Sequence, residues 1–279
     1  METKSNTKTM WIFVALVAVL GVIGCCALAA VGAITVPAIA RGVRSDGLSW
    51  WFEVESPGQE MTERVEQTFE VGSAPKLEIN SFAGATTIRA GDDDTIRVVA
   101  TKHAKGSRNL DAIVVEMTEE GDRVVVRTSH PLLNNASNLR VDLEITVPAD
   151  TDLDVKLGAG SVQVRDVLGA QQIEAGAGGI EIRGAAGPVS TKAGAGGIDY
   201  AGRPAGVCSF QAGAGGIVLR LPADANVTVD LSAGLGGVNS ALPVDGTVTR
   251  RSVRGTIGTG DEASLTATAG IGGVDLVRQ

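Results

Sequence analysis

Ala175-Gly176-Ala177-Gly178-Gly179-Ile180 recurs as Ala193-Gly194-Ala195-Gly196-Gly197-Ile198 and as Ala212-Gly213-Ala214-Gly215-Gly216-Ile217. Two looser copies follow, Ala233-Gly234-Leu235-Gly236-Gly237-Val238 and Ala269-Gly270-Ile271-Gly272-Gly273-Val274. An imperfect copy precedes them, Leu157-Gly158-Ala159-Gly160-Ser161-Val162. The closing β-branched residues stand at 162, 180, 198, 217, 238 and 274, giving steps of 18, 18, 19, 21 and 36. Self-similarity at such a period marks a repeat architecture in which each copy buries its apolar face against its neighbours. The last step is about two periods, and a worn copy near Thr256-Ile257 is expected to fill it.

Each copy reads as two short strands joined by a bend. Ile173, Ala175 and Ala177 share one parity, whereas Ile180 and Ile182 share the other, and side chains of a strand alternate between its two faces. The parity switches at Gly178-Gly179, where a residue without Cβ can adopt positive φ. Stacked copies then form three expected inward columns. One holds Ile180, Ile198, Ile217, Val238 and Val274; a second holds Ala175, Ala193, Ala212, Ala233 and Ala269; a third holds Ala177, Ala195, Ala214, Leu235 and Ile271. Like sits on like at about 4.8 Å in such a coil. The alanines imply a narrow interior, widening at Leu235 and Ile271. Outward, Glu174 is expected to stack near Lys192 and Gln211.

Upstream, Leu77–Asn80, Thr87–Ala90, Ile96–Val99, Ile113–Glu116, Val124–Arg127 and Val141–Thr146 read as less regular strands. Asn80-Ser81-Phe82-Ala83-Gly84-Ala85-Thr86-Thr87-Ile88 looks like a worn copy, so the coil is expected to begin near residue 70. The fold class is therefore all-β: a parallel β-helix or β-solenoid of period about 18–21. The domain spans 65–279, irregular to about 150 and regular from 151.

The sequence has 37 Gly and few aromatic residues, and its formal net charge is −8. Lys4, Lys8, Arg41 and Arg44 all precede residue 45, so the remainder is more acidic still. Phosphate-backbone binding needs a basic stripe, so no nucleic-acid partner is expected. From Met10 to Ala40 no residue is charged, and about 20 apolar residues suffice to span a bilayer as a helix. Trp11, Trp50 and Trp51, the three Trp of the chain, bracket this run, as the membrane interface favours. A tail (1–9), a transmembrane anchor (10–40) and a juxtamembrane linker (41–64) are read accordingly. Val22-Ile23-Gly24-Cys25 resembles a lipobox, which would lipidate Cys25, and a cleaved signal is the third option; the run's length favours an uncleaved anchor. Lysine and arginine counts at its two ends nearly tie, so orientation rests on the short N-terminus, which places the β domain outside the cytoplasm. Gly21, Cys25 and Ala29 form a small-residue stripe on one helix face.

Chemistry-bearing motifs are scarce. The position after the closing Ile or Val runs Gln163, Glu181, Asp199, Val218, Asn239, Asp275; Gln163 and Val218 break any calcium ladder, whose period would be half this one. Asp92-Asp93-Asp94 reads as a polar hairpin tip. The glycine clusters lead into strands rather than helices, which fails the requirement of a phosphate loop. His103 and His130, the two histidines, read as exposed strand-end residues, and Cys208 stands alone in the β domain. Arg250-Arg251 with Arg254 forms a small basic island that would suit an anionic glycan or lipid headgroup if it is more than an exposed loop. No catalytic residue, cofactor-binding residue or metal ligand is assigned, and no cofactor is expected.

The strands of form Ile-Glu-Ile, the recurring Gly-Ala-Gly-Gly-Ile and the single N-terminal anchor together resemble the bacterial putative-adhesin family with β-strand repeats, a domain of unknown function. Arg254-Gly255-Thr256-Ile257-Gly258-Thr259-Gly260 followed by Ala263-Ser264-Leu265-Thr266-Ala267-Thr268-Ala269-Gly270 fits the way such domains close. The ectodomain is also similar to toastrack domains linked to envelope-stress systems. The resemblance implies a single-handed β-helix and an extracytoplasmic surface role, and it carries no catalytic residues. The expected function is a non-enzymatic, membrane-anchored envelope protein with a structural or adhesion-like role, contacting an envelope protein or glycan. The alternatives are an extracytoplasmic sensor of a membrane-stress pathway and, less favoured, a polysaccharide-active β-helix enzyme.

Overall fold

Alternation of Val, Ile and Leu with polar residues makes strands, and the glycine clusters set where each strand must turn. In the computed structural model, which describes residues 60–91, 94–130 and 139–279, the described residues are all-β with one short helix. The expected anchor (10–40), its tryptophans, the small-residue stripe and the Cys25 lipobox lie outside the described residues. Among the described residues no helix is long and apolar enough to cross a membrane.

The strands are β1 (Glu60–Glu70), β2 (Lys76–Gly91), β3 (Thr95–Lys105), β4 (Val114–Glu120), β5 (Arg123–Ser129), β6 (Arg140–Pro148) and β7 (Asp152–Arg165). Then follow β8 (Gln171–Ala177), β9 (Ile180–Ala185), β10 (Val189–Ala195), β11 (Ile198–Gly202), β12 (Gly206–Ala214) and β13 (Ile217–Leu221). The last six are β14 (Val227–Leu235), β15 (Val238–Ser240), β16 (Asp245–Val248), β17 (Ser252–Ile257), β18 (Ala263–Ile271) and β19 (Val274–Arg278). The helix α1 spans Ser107–Asp111, and its Leu110 is buried. The first strand begins at Glu60, within the segment expected to be linker.

Most strands pair in parallel as rungs of two segments, one before and one after the glycine bend. Before the bend, β5, β2, β7, β8, β10, β12, β18 and β14 pair in that order. After it, β6, β2, β7, β9, β11, β13, β19 and β15 do the same. Registers follow the repeat: Ala175 faces Ala193, which faces Ala212, and Ile180 faces Ile198, which faces Ile217. The worn copy is a true rung, because Ala83 pairs with Ala159, Thr86 with Val162 and Ile88 with Val164.

Rung order departs from chain order at both ends. The last rung in sequence, β18 and β19, sits between β12/β13 and β14/β15. The columns therefore run Ile217, Val274, Val238 rather than in sequence order. At the other end β2 lies between β5/β6 and β7, although it precedes both in the chain. The segment around Thr256-Ile257 is no parallel copy. It is β17, antiparallel to β14, with β16 antiparallel to β17 in turn. Antiparallel strands likewise cover the opposite end: β4 on β5, β3 on β6 and β1 on β3. Edge strands recruit unwanted partners, and both ends of the parallel stack are thus covered by the chain itself. β2 and β3 do not pair, since β6 lies between them; Asp92 and Asp93, read as a polar hairpin tip, lie outside the described residues.

The glycine bend decides which residues face in. Ala175, Ala193, Ala212, Ala233 and Ala269 are buried, as are Ile180, Ile198, Ile217, Val238 and Val274. The third expected column is not: Ala177, Ala195 and Ala214 are exposed, and Leu235 and Ile271 are 63% and 59% exposed. Inward parity ends at Ala175 because the chain already turns at Gly176, which puts the next alanine on the outside of the corner. Gly178 takes φ +130°, and its equivalents Gly84, Gly160, Gly196, Gly215, Gly236 and Gly272 are also in positive φ. A Cβ on Gly178 would overlap the carbonyl oxygen of Gly160 on the preceding rung. Gly179 has no such φ, and its Cβ would come no closer than 3.8 Å to the Gly197 oxygen.

The interior is lined by a single alanine column, Ala175 to Ala269. Its largest fully buried side chains are Tyr200 and Phe210, with ring centroids 5.0 Å apart. Phe210 fits because its in-register neighbours are the smaller Thr191 and Ala267, the large-beside-small complementarity that dense packing requires.

Candidate functional site

The outer side of the corner holds an extended concavity. Before the bend, Asn80, Lys156, Glu174, Lys192, Gln211 and Thr268 occupy one outward position on successive rungs. Two residues further on, Gly158, Gly176, Gly194, Gly213 and Gly270 leave that face without side chains. A Cβ at Gly176 would lie 2.5 Å from the Gly158 oxygen, so close approach of adjacent rungs excludes any larger residue. The result is a trough of about 760 Å³ whose floor is backbone and whose length crosses six rungs, from Asn80 to Thr268. Phe82 lines its end at the β2 rung.

One wall is polar. The Lys192 ammonium lies 3.6 Å from the Glu174 carboxylate, which bears out the expected stacking of Glu174, Lys192 and Gln211. Both side chains are exposed, so this pair adds little stability and leaves its charges available to a partner. Along the other side runs the ridge Ala159, Ala177, Ala195, Ala214, Ile271 and Leu235, exposed on every rung. Ile271 and Leu235 are in register with each other and make the ridge broadest at the β14 end.

The other residues singled out in the sequence are dispersed. Glu181 accepts a hydrogen bond from Arg183 Nε at 2.6 Å, Asp199 pairs with Arg220, and Asp275 accepts from Asn239 Nδ2 at 2.7 Å. These carboxylates are partnered within the face. The backbone carbonyls of Arg250 and Arg251 accept from the amides of Val238 and Ala233, both at 3.0 Å, and Arg254 Nε reaches Asp230 at 2.9 Å. The basic island therefore closes the β14/β15 end of the stack. Cys208 is buried and its thiol is pushed up by that burial, as is the Tyr200 phenol, so neither is activated.

His103 is not a simple exposed strand-end residue. Its side chain is 15% exposed, with Nε2 3.1 Å from Asp142 and Nδ1 3.4 Å from Glu60, and Arg140 Nη2 lies 3.1 Å from Nδ1. Three strands, β1, β3 and β6, bring these groups together, and no sequence spacing announces them. A nucleophilic triad needs a hydroxyl or thiol hydrogen-bonded to the imidazole, and among the described residues His103 has none. His130 packs edge-on against Phe82 at 4.5 Å between ring centroids.

No protein-family model matches the sequence, and no curated protein matches it. Among solved structures, the chain is similar to a "putative cell adhesion protein" from Clostridium sporogenes, at 14% identity and TM-score 0.48, over 78% of this chain and 100% of that one. It is also similar to a "putative adhesin" from Bacteroides fragilis, at 11% identity and TM-score 0.42, over 77% of this chain and 97% of that one. These are bacterial proteins of the kind that the sequence resembles.

Proposed function

We propose that the protein is a non-catalytic interaction platform of the cell envelope: a single-handed β-solenoid held to the membrane by residues 10–40, with the solenoid outside the cytoplasm. The observation that carries this reading is the trough. Its floor is bare backbone, its polar wall repeats at the rung spacing, and it runs along the stack rather than closing into a pocket. Such a surface suits an extended partner that makes many equivalent contacts. It lacks the convergent polar groups in an enclosed cleft that small-molecule chemistry uses. An adhesion-like or structural role follows, with an envelope protein or glycan in the trough.

The test is photo-crosslinking in intact cells from a probe at Lys192, on the trough wall, compared with a probe at Thr118 on β4. Capture of a surface component from Lys192 alone supports the reading. A single dominant membrane-protein partner would point instead to a regulatory role in the membrane. Protease that leaves the β domain intact in whole cells but cuts it after lysis would contradict the reading altogether.

A further inference from the structure

On the outward face after the bend, four rungs carry arginine at one position: Arg89, Arg165, Arg183 and Arg220. The parallel register sets Arg89 beside Arg165 and Arg165 beside Arg183. Guanidinium groups one rung apart repel unless negative charge lies among them. Further along, acids in the neighbouring row supply that charge: Glu181, two residues upstream, bonds Arg183, and Asp199, on the adjacent rung beside Val218, pairs with Arg220. On the rungs of Arg89 and Arg165 the same position holds Thr87 and Gln163, in register with Glu181. The acid is thus replaced by a neutral side chain on two adjacent rungs.

The consequence is an unbalanced basic strip. The Arg165 guanidinium makes no hydrogen bond or ion pair among the described residues. Arg89 uses Nε on Thr146 Oγ1 at 3.2 Å, which leaves its two amino groups. Beside Arg89, a groove of about 200 Å³ is lined by Arg64, Arg97 and Glu144 as well. One carboxylate, Glu66, is shared by Arg64 at 3.1 Å and Arg97 at 2.5 Å. Four guanidinium groups therefore face two carboxylates, in a chain whose formal net charge is −8.

We propose that this arginine groove binds the anionic groups of a linear acidic polysaccharide. Guanidinium forks match sulfate and carboxylate oxygens in two-point contacts, and the row from Arg97 through Arg89 to Arg165 presents them along one line. Glu66, Glu144 and the half-buried Glu181 lie in one row along one side of that line. A broad anionic surface such as a bilayer would press against these carboxylates, whereas a single thin strand can follow the arginine row beside them. The groove lacks the aromatic platforms on which nucleic-acid bases stack. It lies on a different face from the trough, and its occupancy does not depend on where the domain is displayed.

The probe is fluorescent dextran sulfate titrated against the full-length chain in detergent, with uncharged dextran as control. Saturable binding that weakens with salt is expected for the wild type. Gln163→Glu, which installs on the Arg165 rung the pair that Glu181 makes with Arg183, is expected to weaken binding at least about tenfold, as is Arg89→Gln with Arg165→Gln. Arg254→Gln, at the far end of the stack, is expected to leave binding within about twofold. Circular dichroism melts check that each variant is folded. Absence of wild-type binding, wild-type affinity in a folded Gln163→Glu protein, or an equal loss in Arg254→Gln overturns the proposal. So does binding to phosphatidylglycerol vesicles without binding to dextran sulfate, which would make the strip a membrane contact.

Discussion

Ala212 is in register with Ala269, and Ala233 lies on the far side of Ala269. The C-terminal rung is therefore an interior rung, with neighbours on both sides, and the end rung is made by an earlier part of the chain. In a coil stacked in sequence order, losing the last rung only shortens the stack. Here, deletion of residues 263–279 removes the buried Leu265, Ala267, Ala269, Val274 and Leu276 and bares the edges of both β12/β13 and β14/β15. Burial of each large aliphatic side chain contributes about 1.5–3 kcal/mol, so the loss approaches the whole stability of a typical domain, about 5–15 kcal/mol. The truncated chain is expected to show no cooperative urea transition. Retention of a transition near the full-length midpoint would show that the last rung is peripheral.

The two glycines of each Gly-Gly pair are not equivalent. Gly178 has φ +130°, and its Cβ would overlap the Gly160 carbonyl. Strain of about 1–3 kcal/mol adds to the displacement of a rung, so Gly178→Ala is expected to cost more than about 3 kcal/mol. Gly179→Ala meets nothing closer than 3.8 Å and is expected to stay within about 0.5 kcal/mol of the wild type. Equal melting temperatures for the two variants would contradict the assigned bend.

Leu235 and Ile271 form an exposed ridge, not a widening core. Leu235→Ser and Ile271→Ser are each expected to change stability by less than about 0.5 kcal/mol. A buried position would lose about 2–5 kcal/mol on truncation to a small side chain. Chemical denaturation of the two variants separates these cases.

Glu78 is held below the usual carboxylate range, chiefly by its hydrogen bond from Arg123, with further attraction from Arg123 and Arg127. A depressed folded-state value means that this stabilisation is present above the unfolded value, about 4.3, and is lost as pH falls through the folded one. Glu78→Gln is therefore expected to weaken the pH dependence of stability below about pH 4 and to leave a stability difference from the wild type that narrows as the solution is acidified. A difference that grows on acidification would have the wrong sign.

Much of the rung was legible in the sequence. The repeat fixes which residues align, and Ala175, Ala193 and Ala212 do align, with Ile180, Ile198 and Ile217. What the repeat cannot encode is which rung follows which. Copies that resemble one another stack equally well in any order, so the placement of β18 between β12 and β14 is decided by the connections and by β17, which occupies the outer edge of β14. The third column turns outward for a local reason: strict alternation through Gly176 would keep Ala177 inside, but the corner begins at Gly176 and Ala177 is exposed. The arginine strip was visible as a shared repeat position, but its missing acids, Thr87 and Gln163, matter only once the rungs are known to be adjacent. The cluster around His103 depends on antiparallel strands distant in sequence and leaves no local signature.

The inserted C-terminal rung is tested most directly by cross-linking on the outward column. With Cys25→Ala, Cys26→Ala and Cys208→Ala as background, Gln211→Cys is paired either with Thr268→Cys or with Ser232→Cys. Gln211 is in register with Thr268, and the Thr268 and Ser232 hydroxyls lie 3.2 Å apart, so Ser232 is two rungs from Gln211. Adjacent rungs are separated by about 4.8 Å. A bifunctional thiol reagent short enough to bridge only one rung is expected to join 211 to 268 rapidly and 211 to 232 barely at all. Efficient joining of 211 to 232, with little of 211 to 268, would mean that the rungs follow chain order and would contradict the insertion.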